Sequence, residues 1–467
     1  MSATHAGLPP RPRTYAEALE AIESRGRYGI RLGLDRVRGV LRAMGNPERE
    51  VRGALVAGTN GKGSVIALAG SALRAAGYRV GETPKPHLVS YRERIVVDGR
   101  PIAPEAFVRL VGEAIEAADG VERRLGPPTE FELLTAVMFR HFAASSLDVA
   151  LVEVGLGGRL DATNAWDGGV AVLTNVGLDH TDRLGPTIGH IAREKVAIVK
   201  PGDRAVTGAE GEALAILRRR CARLAVPLQV CPPAPLAGWD RDGILVELPR
   251  LGATRIGLRG RHQAANAAVA DGLLDALERA QIATVDPEAR RAGYATARWP
   301  GRLELVPWSP PGGASARDVL LDGAHNPDGA AALAQALDDL RPSLSGGDAE
   351  PALPLTLVWA SMADKDVPGV VGAAARARSL AGATVIATAL PLPRALPAAD
   401  LAAAWRQALP GATIIVEPDP ATALARALAL GQGPVVVAGS LYLVGDARAR
   451  LVDDPELRDP VDDRDGA

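Results

Sequence analysis

Cysteine is scarce: the chain of 467 residues holds two, Cys221 and Cys231, in a weakly patterned region. That argues against a disulfide, and no completing ligands accompany the pair for a metal site. Net charge is scarce too, since 53 Lys and Arg against 55 Asp and Glu leave −2. Such a balance offers no basic field for nucleic acid or a lipid surface. The arginines are scattered, as on a solvated face, and form no block. No apolar run approaches the length of a membrane span, no signal peptide is recognisable, and no short-period repeat recurs. Few cysteines and no signal point to the cytoplasm. What the chain does have is apolar content, 47%, which is ample for large cores. Its length implies two or three domains.

The most informative stretch runs from Val51 to Ser64. An apolar run, a buried strand by its pattern, empties into Gly58-Thr59-Asn60-Gly61-Lys62-Gly63-Ser64. The Ala-rich segment Val65 to Ala76 then reads as a helix. Strand, Gly-rich turn and helix make a phosphate cradle: amides point inward and the helix N-terminus adds positive potential. Lys62 would supply a point charge and Ser64 a magnesium ligand. The usual pattern is G-x-x-x-x-G-K-[ST]; here Gly63 is inserted between Lys62 and Ser64, so this is a variant loop. The alternative is an ordinary Gly-rich turn between strand and helix.

Strand-like runs alternate with helical ones, which predicts an α/β chain with a mostly parallel sheet. Val149–Val154 and Val170–Val176 are near-continuous apolar runs, as strands buried on both faces should be. Thr187 to Val199 is helical in period. Later strands are expected at Asp318–Leu321, Leu355–Trp359, Ala383–Ala387 and Val435–Ala438. A Pro-Gly break at Arg298-Trp299-Pro300-Gly301-Arg302 sets a boundary. The expected organisation is a flexible lead-in over 1–13, a first domain over 14–298, a second over 299–452 and a fraying acidic tail over 453–467. Pro342 to Pro354 reads as a surface loop.

Ligands of α/β sheets bind where strands end. Glu153 ends an apolar strand, where a carboxylate needs a cation. That cation would be Mg²⁺, as the phosphate loop implies, or else Arg159 or Arg193. Asp161 and Asn164 follow in a polar loop, and His180 sits between Asp179 and Asp182 after the next strand.

Taken together, Val56–Val65, Leu151–Asn164, Asn175–Lys195, Pro300–Arg302, Asp322–Pro327, Met362–Asp366 and Gly439–Val444 resemble the folylpolyglutamate synthase/dihydrofolate synthase family. That family is a branch of the Mur ligase superfamily. The phosphate loop is shared by all Mur-type ligases. The Glu153–Asn164 run, His325-Asn326-Pro327, and Pro86-His87-Leu88 followed by Tyr91–Ile95 are particular to the folate branch.

The resemblance implies a Mur-ligase-like enzyme: an N-terminal P-loop ATPase domain and a smaller, Rossmann-like C-terminal domain. It implies carboxylate activation by ATP and capture of the acyl phosphate by L-glutamate, on a folate or dihydropteroate, in a monomer. ATP contacts would come from Thr59, Asn60, Gly61, Lys62, Gly63 and Ser64, with Asn266 on adenine, Arg302 on phosphates and Asp322 on ribose. Ser64, Glu153, His180 and Lys195, the last as a carbamate, would hold Mg²⁺ at two sites. Lys62, Lys195, His325 and Ser440 would be catalytic. Leu32, Gly33, Thr129, Glu130, Phe131 and Asp161 would line the folate pocket. Lys195 could instead be a salt-bridge residue with Glu194 or Glu153. Asn266 could be an ordinary helix-start residue, His325 part of a capped turn and Phe131 plain core.

Two departures from the family carry weight, and a smaller one, Val196-Ala197-Ile198 where Ala-Gly-Ile is usual, should matter little. Lys85 stands where a metal-ligating Ser is common, which leaves Thr83, water or a direct Lys85–phosphate contact as substitutes. Arg31 stands where dihydrofolate-synthesising members carry Asp, which disfavours dihydropteroate. Two other readings compete: a Mur-type ligase with a non-folate acceptor, and a non-enzymatic nucleotide switch.

Overall fold

The computed structural model describes residues 11–29, 31–309 and 316–460. Most of the expected lead-in over 1–13, and the end of the tail from 461, lie outside them. The chain divides into two compact units. The first runs up to Cys231 and adds Val269–Arg290 and the stretch from Pro455; the second comprises Pro232–Ala268 and Arg291–Asp454. The division is more interleaved than the single boundary expected at 298/299. Residues 232–268 go with the second unit because ion pairs tie them there. Arg241 bonds Asp318 at 2.5 and 2.9 Å, and Arg261 bonds Asp339 at 2.6 and 2.7 Å.

The first unit is built on β1 (Gly53–Ala57), β2 (Val80–Glu82), β3 (Val96–Val97), β4 (Arg100–Pro101), β5 (Val149–Glu153), β6 (Gly169–Leu173), β7 (Arg204–Thr207) and β8 (Leu228–Val230). Their order is β4-β3-β2-β5-β1-β6-β7-β8. All neighbours are parallel except at β3 and β4. The centre, β5-β1-β6, is apolar and almost wholly buried, which is why it reads in sequence as unbroken runs. The helix Glu130–Ala144 packs over it, with Phe139 and Trp166 rings 5.5 Å apart and Trp166 Nε1 donating to Val51 O at 3.0 Å. The expected strand Val170–Val176 stops at Leu173, because Thr174 and Asn175 turn aside to hold the loop after β1. The expected helix over Thr187–Val199 appears as Ile188–Lys195 with a 3₁₀ turn, Val196–Ile198.

The expectation that the tail frays is corrected for its described part. Buried Arg92 donates to Glu456 O at 2.7 Å, Arg458 O at 3.1 Å and Asp459 Oδ1 at 3.2 Å. The Ser90 hydroxyl also donates to Asp459 Oδ1, at 2.5 Å. A buried guanidinium needs acceptors, and the tail supplies them.

The second unit carries β9 (Leu236–Asp240), β10 (Gly243–Leu248) and β11 (Gly252–Ile256) as an antiparallel meander. It also carries β12 (Glu304–Trp308), β13 (Arg317–Asp322), β14 (Thr356–Trp359), β15 (Thr384–Ala387), β16 (Thr413–Val416) and β17 (Val435–Ala438) in the order β12-β13-β17-β14-β15-β16. Only edge strand β12 is antiparallel, and Pro307 sits on that edge, where a missing N–H is tolerated. All four expected later strands are present within a residue or two. The Trp359 and Trp405 rings meet edge to face at 5.3 Å in its core. Over Pro342–Pro354 the chain is irregular beyond the 3₁₀ turn Arg341–Ser343, as its composition implied.

Candidate active site

β1 ends at Ala57 and turns through Gly58–Gly61 into the helix Lys62–Ala75. The end of β6 braces the turn. Thr59 N–H donates to Asn175 O at 3.1 Å, and Asn60 N–H donates to Asn175 Oδ1 at 2.9 Å. The Thr174 hydroxyl donates to Asn60 O at 2.6 Å, and Gly177 N–H donates to Thr59 Oγ1 at 3.0 Å. At Gly58 a Cβ would lie 1.9 Å from Thr174 Oγ1, so no side chain fits. Thr174, Asn175 and Gly177 were missed as loop supports. Their one signal was a polar break in an apolar strand.

Three lysines converge beside this turn. Lys62 Nζ donates to Gly58 O and Thr59 O, each at 3.2 Å, and lies 3.8 Å from Glu153 Oε1. Lys195 Nζ donates to Gly58 O at 2.9 Å. Lys85 Nζ donates to Glu153 O at 2.6 Å and lies 4.5 Å from the centre of the Phe131 ring. Neither Arg159 nor Arg193 is the cation that Glu153 faces. Arg159 bonds Glu194 Oε1 at 3.0 Å and Arg193 O at 3.1 Å. Lys195 therefore does not serve as a partner of Glu194. Thr83, a candidate substitute for the missing Ser, is wholly buried and accepts Glu153 N–H at 2.8 Å.

Burial pushes the Lys195 ammonium down to about 7; the Lys62 charge adds to this, while Asp179 and Asp161 oppose it. Burial pushes Lys85 down to about 8, against the pull of Asp161 and Glu153. Ser64 is buried in the first turn of the loop helix. His180 takes the left-handed conformation, φ 50°, with Nε2 3.9 Å from Asp179 Oδ2. Among the described residues no group of three or more His, Cys, Asp or Glu is placed to hold a metal.

The residues expected at a folate pocket form an adjoining wall. Arg36 bonds Glu132 Oε2 at 3.0 Å and Arg31 O at 2.6 Å, which draws the Leu32–Gly33 segment to the start of helix Glu130–Ala144. Leu32 is 48% exposed, a large apolar group left uncovered. Thr129 caps the helix reciprocally with Glu132. Glu130 Oε1 accepts the Tyr91 hydroxyl at 3.2 Å, and His87 Nδ1 accepts Arg94 Nε–H at 2.8 Å. Asp161 accepts the amides of Gly155, Leu156 and Thr163 and the Thr163 hydroxyl, so its carboxylate orders the loop. A Cβ on Gly155 would meet Phe131 at 2.9 Å and Asp161 Oδ2 at 3.1 Å, so a glycine keeps that wall open.

The second unit has its own cluster. Asp322, at the end of β13, accepts Leu303 N–H and Ala324 N–H, both at 2.9 Å, and burial raises its carboxyl above the usual range. His325 Nδ1 lies 2.8 Å from Gly323 O. A Cβ on Gly323 would meet Arg302 Nη1, which places Arg302 against the same turn. Ser440, after β17, caps the helix Leu441–Leu451 through Tyr442 N–H at 3.3 Å. Asn266 donates to Gln263 Oε1 at 2.8 Å, and both are buried.

Comparison with known proteins gives consistent matches. Residues 312–451 match the family model described as dihydrofolate synthetase, C-terminal domain. The chain is 34% identical to the dihydrofolate synthase/folylpolyglutamate synthase of Bacillus subtilis (strain 168), covering 94% of this chain and 99% of that protein. Crystal structures of Mycobacterium tuberculosis folylpolyglutamate synthase complexed with ADP and AMPPCP superpose with a TM-score of 0.81 at 31% identity, covering 94% of this chain and 100% of that one. Escherichia coli FolC in complex with DHPP and ADP gives 0.78 at 30% identity, covering 95% and 98%.

Proposed function

The chain belongs to the dihydrofolate synthase/folylpolyglutamate synthase family, and from that premise we propose that it is an ATP-dependent ligase adding L-glutamate to a folate. The carrying observation is the convergence of Lys62, Lys195 and Glu153 on the turn after β1. An oxygen of the acceptor carboxylate attacks the γ-phosphorus, the bond to the β-phosphate oxygen breaks, and ADP leaves. The amine of L-glutamate attacks the acyl carbon, phosphate leaves with the bonding pair, and the amine sheds a proton. Loop amides and Lys62 neutralise charge on the transferring phosphoryl group, where positioned charge does most of the catalytic work. No non-folate Mur-type acceptor is needed to account for the site.

Glu153 and Ser64 present hard oxygen donors of the kind magnesium takes. With His180 and a carbamate on Lys195 they would hold Mg²⁺, whose contribution is charge neutralisation and substrate orientation. Carbamate formation needs a neutral amine, and a lysine pushed down to about 7 supplies one near neutral pH. In the second unit, Asn266, Arg302 and Asp322 take the adenine, phosphate and ribose roles, and His325 and Ser440 serve glutamate. Leu32, Gly33, Thr129, Glu130, Phe131 and Asp161 shape the folate pocket: Thr129 and Asp161 by fixing main chain, Leu32 and Phe131 as apolar wall. Among the described residues no helix is long and apolar enough to cross a membrane.

The deciding experiment is ATP- and Mg²⁺-dependent incorporation of labelled L-glutamate, run in parallel on tetrahydrofolate and dihydropteroate. We expect incorporation on tetrahydrofolate. Incorporation on dihydropteroate as well would make the enzyme bifunctional and show that Arg31 does not exclude the pteroate. Incorporation on neither, with ATP still bound, would redirect the assignment to another Mur-type acceptor.

A further inference from the structure

We propose that the Lys85 ammonium binds the acceptor's reacting carboxylate, an inference that rests on the ligase reading above. Lys85 touches both parts of the first unit's strand-edge cluster. Its Nζ donates to the main-chain oxygen of Glu153, whose carboxylate faces Lys62, and it also lies over the Phe131 ring of the pocket wall. An ammonium carries three N–H groups. One is engaged by Glu153 O at 2.6 Å, and Lys85 remains partly accessible.

The charge around it calls for an anion. Lys62 and Lys85 both reach Glu153, the first at its carboxylate and the second at its main-chain oxygen. The second acid near Lys85, Asp161, is already held by four donors. Lys62 lies along the phosphate turn, within reach of Gly58 O and Thr59 O. Lys85 lies on the Phe131 side of Glu153, where an aromatic acceptor packed on the apolar wall would present its carboxylate. A lysine there repels a cation and attracts a carboxylate, so Lys85 does not act as a simple stand-in for a metal-ligating Ser. By holding the carboxylate next to the phosphate turn it brings two anions together with their repulsion offset.

The test is equilibrium binding, with ADP present, of tetrahydrofolate and of its γ-carboxamide to the wild type, Lys85→Gln and Lys85→Arg. Labelled-glutamate incorporation by the wild type on tetrahydrofolate is run beside it. The wild type should prefer the acid about 10- to 100-fold, the range for a hydrogen bond to a charged group. Lys85→Gln should bring the acid/amide ratio close to one while ADP affinity stays within about twofold, and Lys85→Arg should keep most of the preference. A Lys85→Gln enzyme that still prefers the acid, or that loses ADP affinity in its place, overturns the inference and leaves the ligase reading standing. Absence of incorporation by the wild type overturns both. Lys85→Met serves as a second neutral variant should the Gln form fail to fold.

Discussion

Both units place polar side chains at the C-terminal ends of parallel strands, yet the first gathers lysines there and the second an aspartate, a histidine and a serine. Lys62 faces the buried Glu153 carboxylate, Lys85 bonds the Glu153 main-chain oxygen, and Lys195 bonds Gly58 O. At the ends of β13 and β17, Asp322 accepts two amides, His325 leans on Gly323 O and Ser440 caps a helix. One sheet edge is rich in lysine, close to the phosphate turn. The other is held in place by main-chain hydrogen bonds. The same α/β plan therefore carries two different sets of side chains at its strand ends.

The comparison breaks first at the cationic edge. Lys62→Ala should lower kcat for glutamate incorporation by on the order of 10²–10³ or more, since it removes a charge placed for the phosphoryl group. Near-normal turnover in that variant would end the phosphate-loop reading. Lys195→Ala should lose about 10² and recover in part when short carboxylates are added, because a small acid can take the place of a carbamate oxygen. Full activity without rescue would return Lys195 to a structural role. The second unit should respond more weakly. Ser440→Ala removes a helix cap and should lower stability by about 1 kcal/mol in denaturant melts, with glutamate KM rising more than ATP KM. An unchanged glutamate KM would separate Ser440 from the amino-acid site.

A further effect, read in stability and not in turnover, depends on pH and is shared by both units. Burial, with Arg94 nearby, pushes His87 down to about 3, and burial with Arg302 pushes His262 down to about 4. Unfolded, each takes its proton near 6.5. Both therefore contribute stability that is present above about pH 6.5 and lost as pH falls through the folded values. Replacing His262 by Gln should flatten the decline in the urea midpoint between pH 6.5 and 4. A decline of unchanged slope would mean that other groups carry it.

Much of this was legible in the sequence, and the limits have physical causes. The strands β1, β5, β13, β14, β15 and β17 were readable because burial on both faces writes itself as an apolar run. The meander β9–β11 was missed because β9 and β11 are largely exposed and write no apolar run. The boundary at 298/299 followed a real Pro-Gly break, but ion pairs to Asp318 and Asp339 draw residues 232–268 into the second unit. Local composition carries no trace of such distant pairs. Charge suggested a fraying tail, whereas one buried arginine far away in sequence fixes residues 456–459.

By itself the sequence determined the phosphate turn, the parallel architecture, the family and the identity of Lys62, Glu153 and Lys195 as site candidates. These depend on short-range order, namely side-chain period, turn chemistry and residue types at fixed spacing, which a linear string records. Only the tertiary structure decided that Lys195 reaches across 137 positions to Gly58 O, and that Thr83 accepts the Glu153 amide while Lys85 stands over Phe131. Desolvation, which moves the two lysines toward neutrality, likewise depends on what packs around them. It is a property of the folded interior, where distance in space no longer follows distance along the chain.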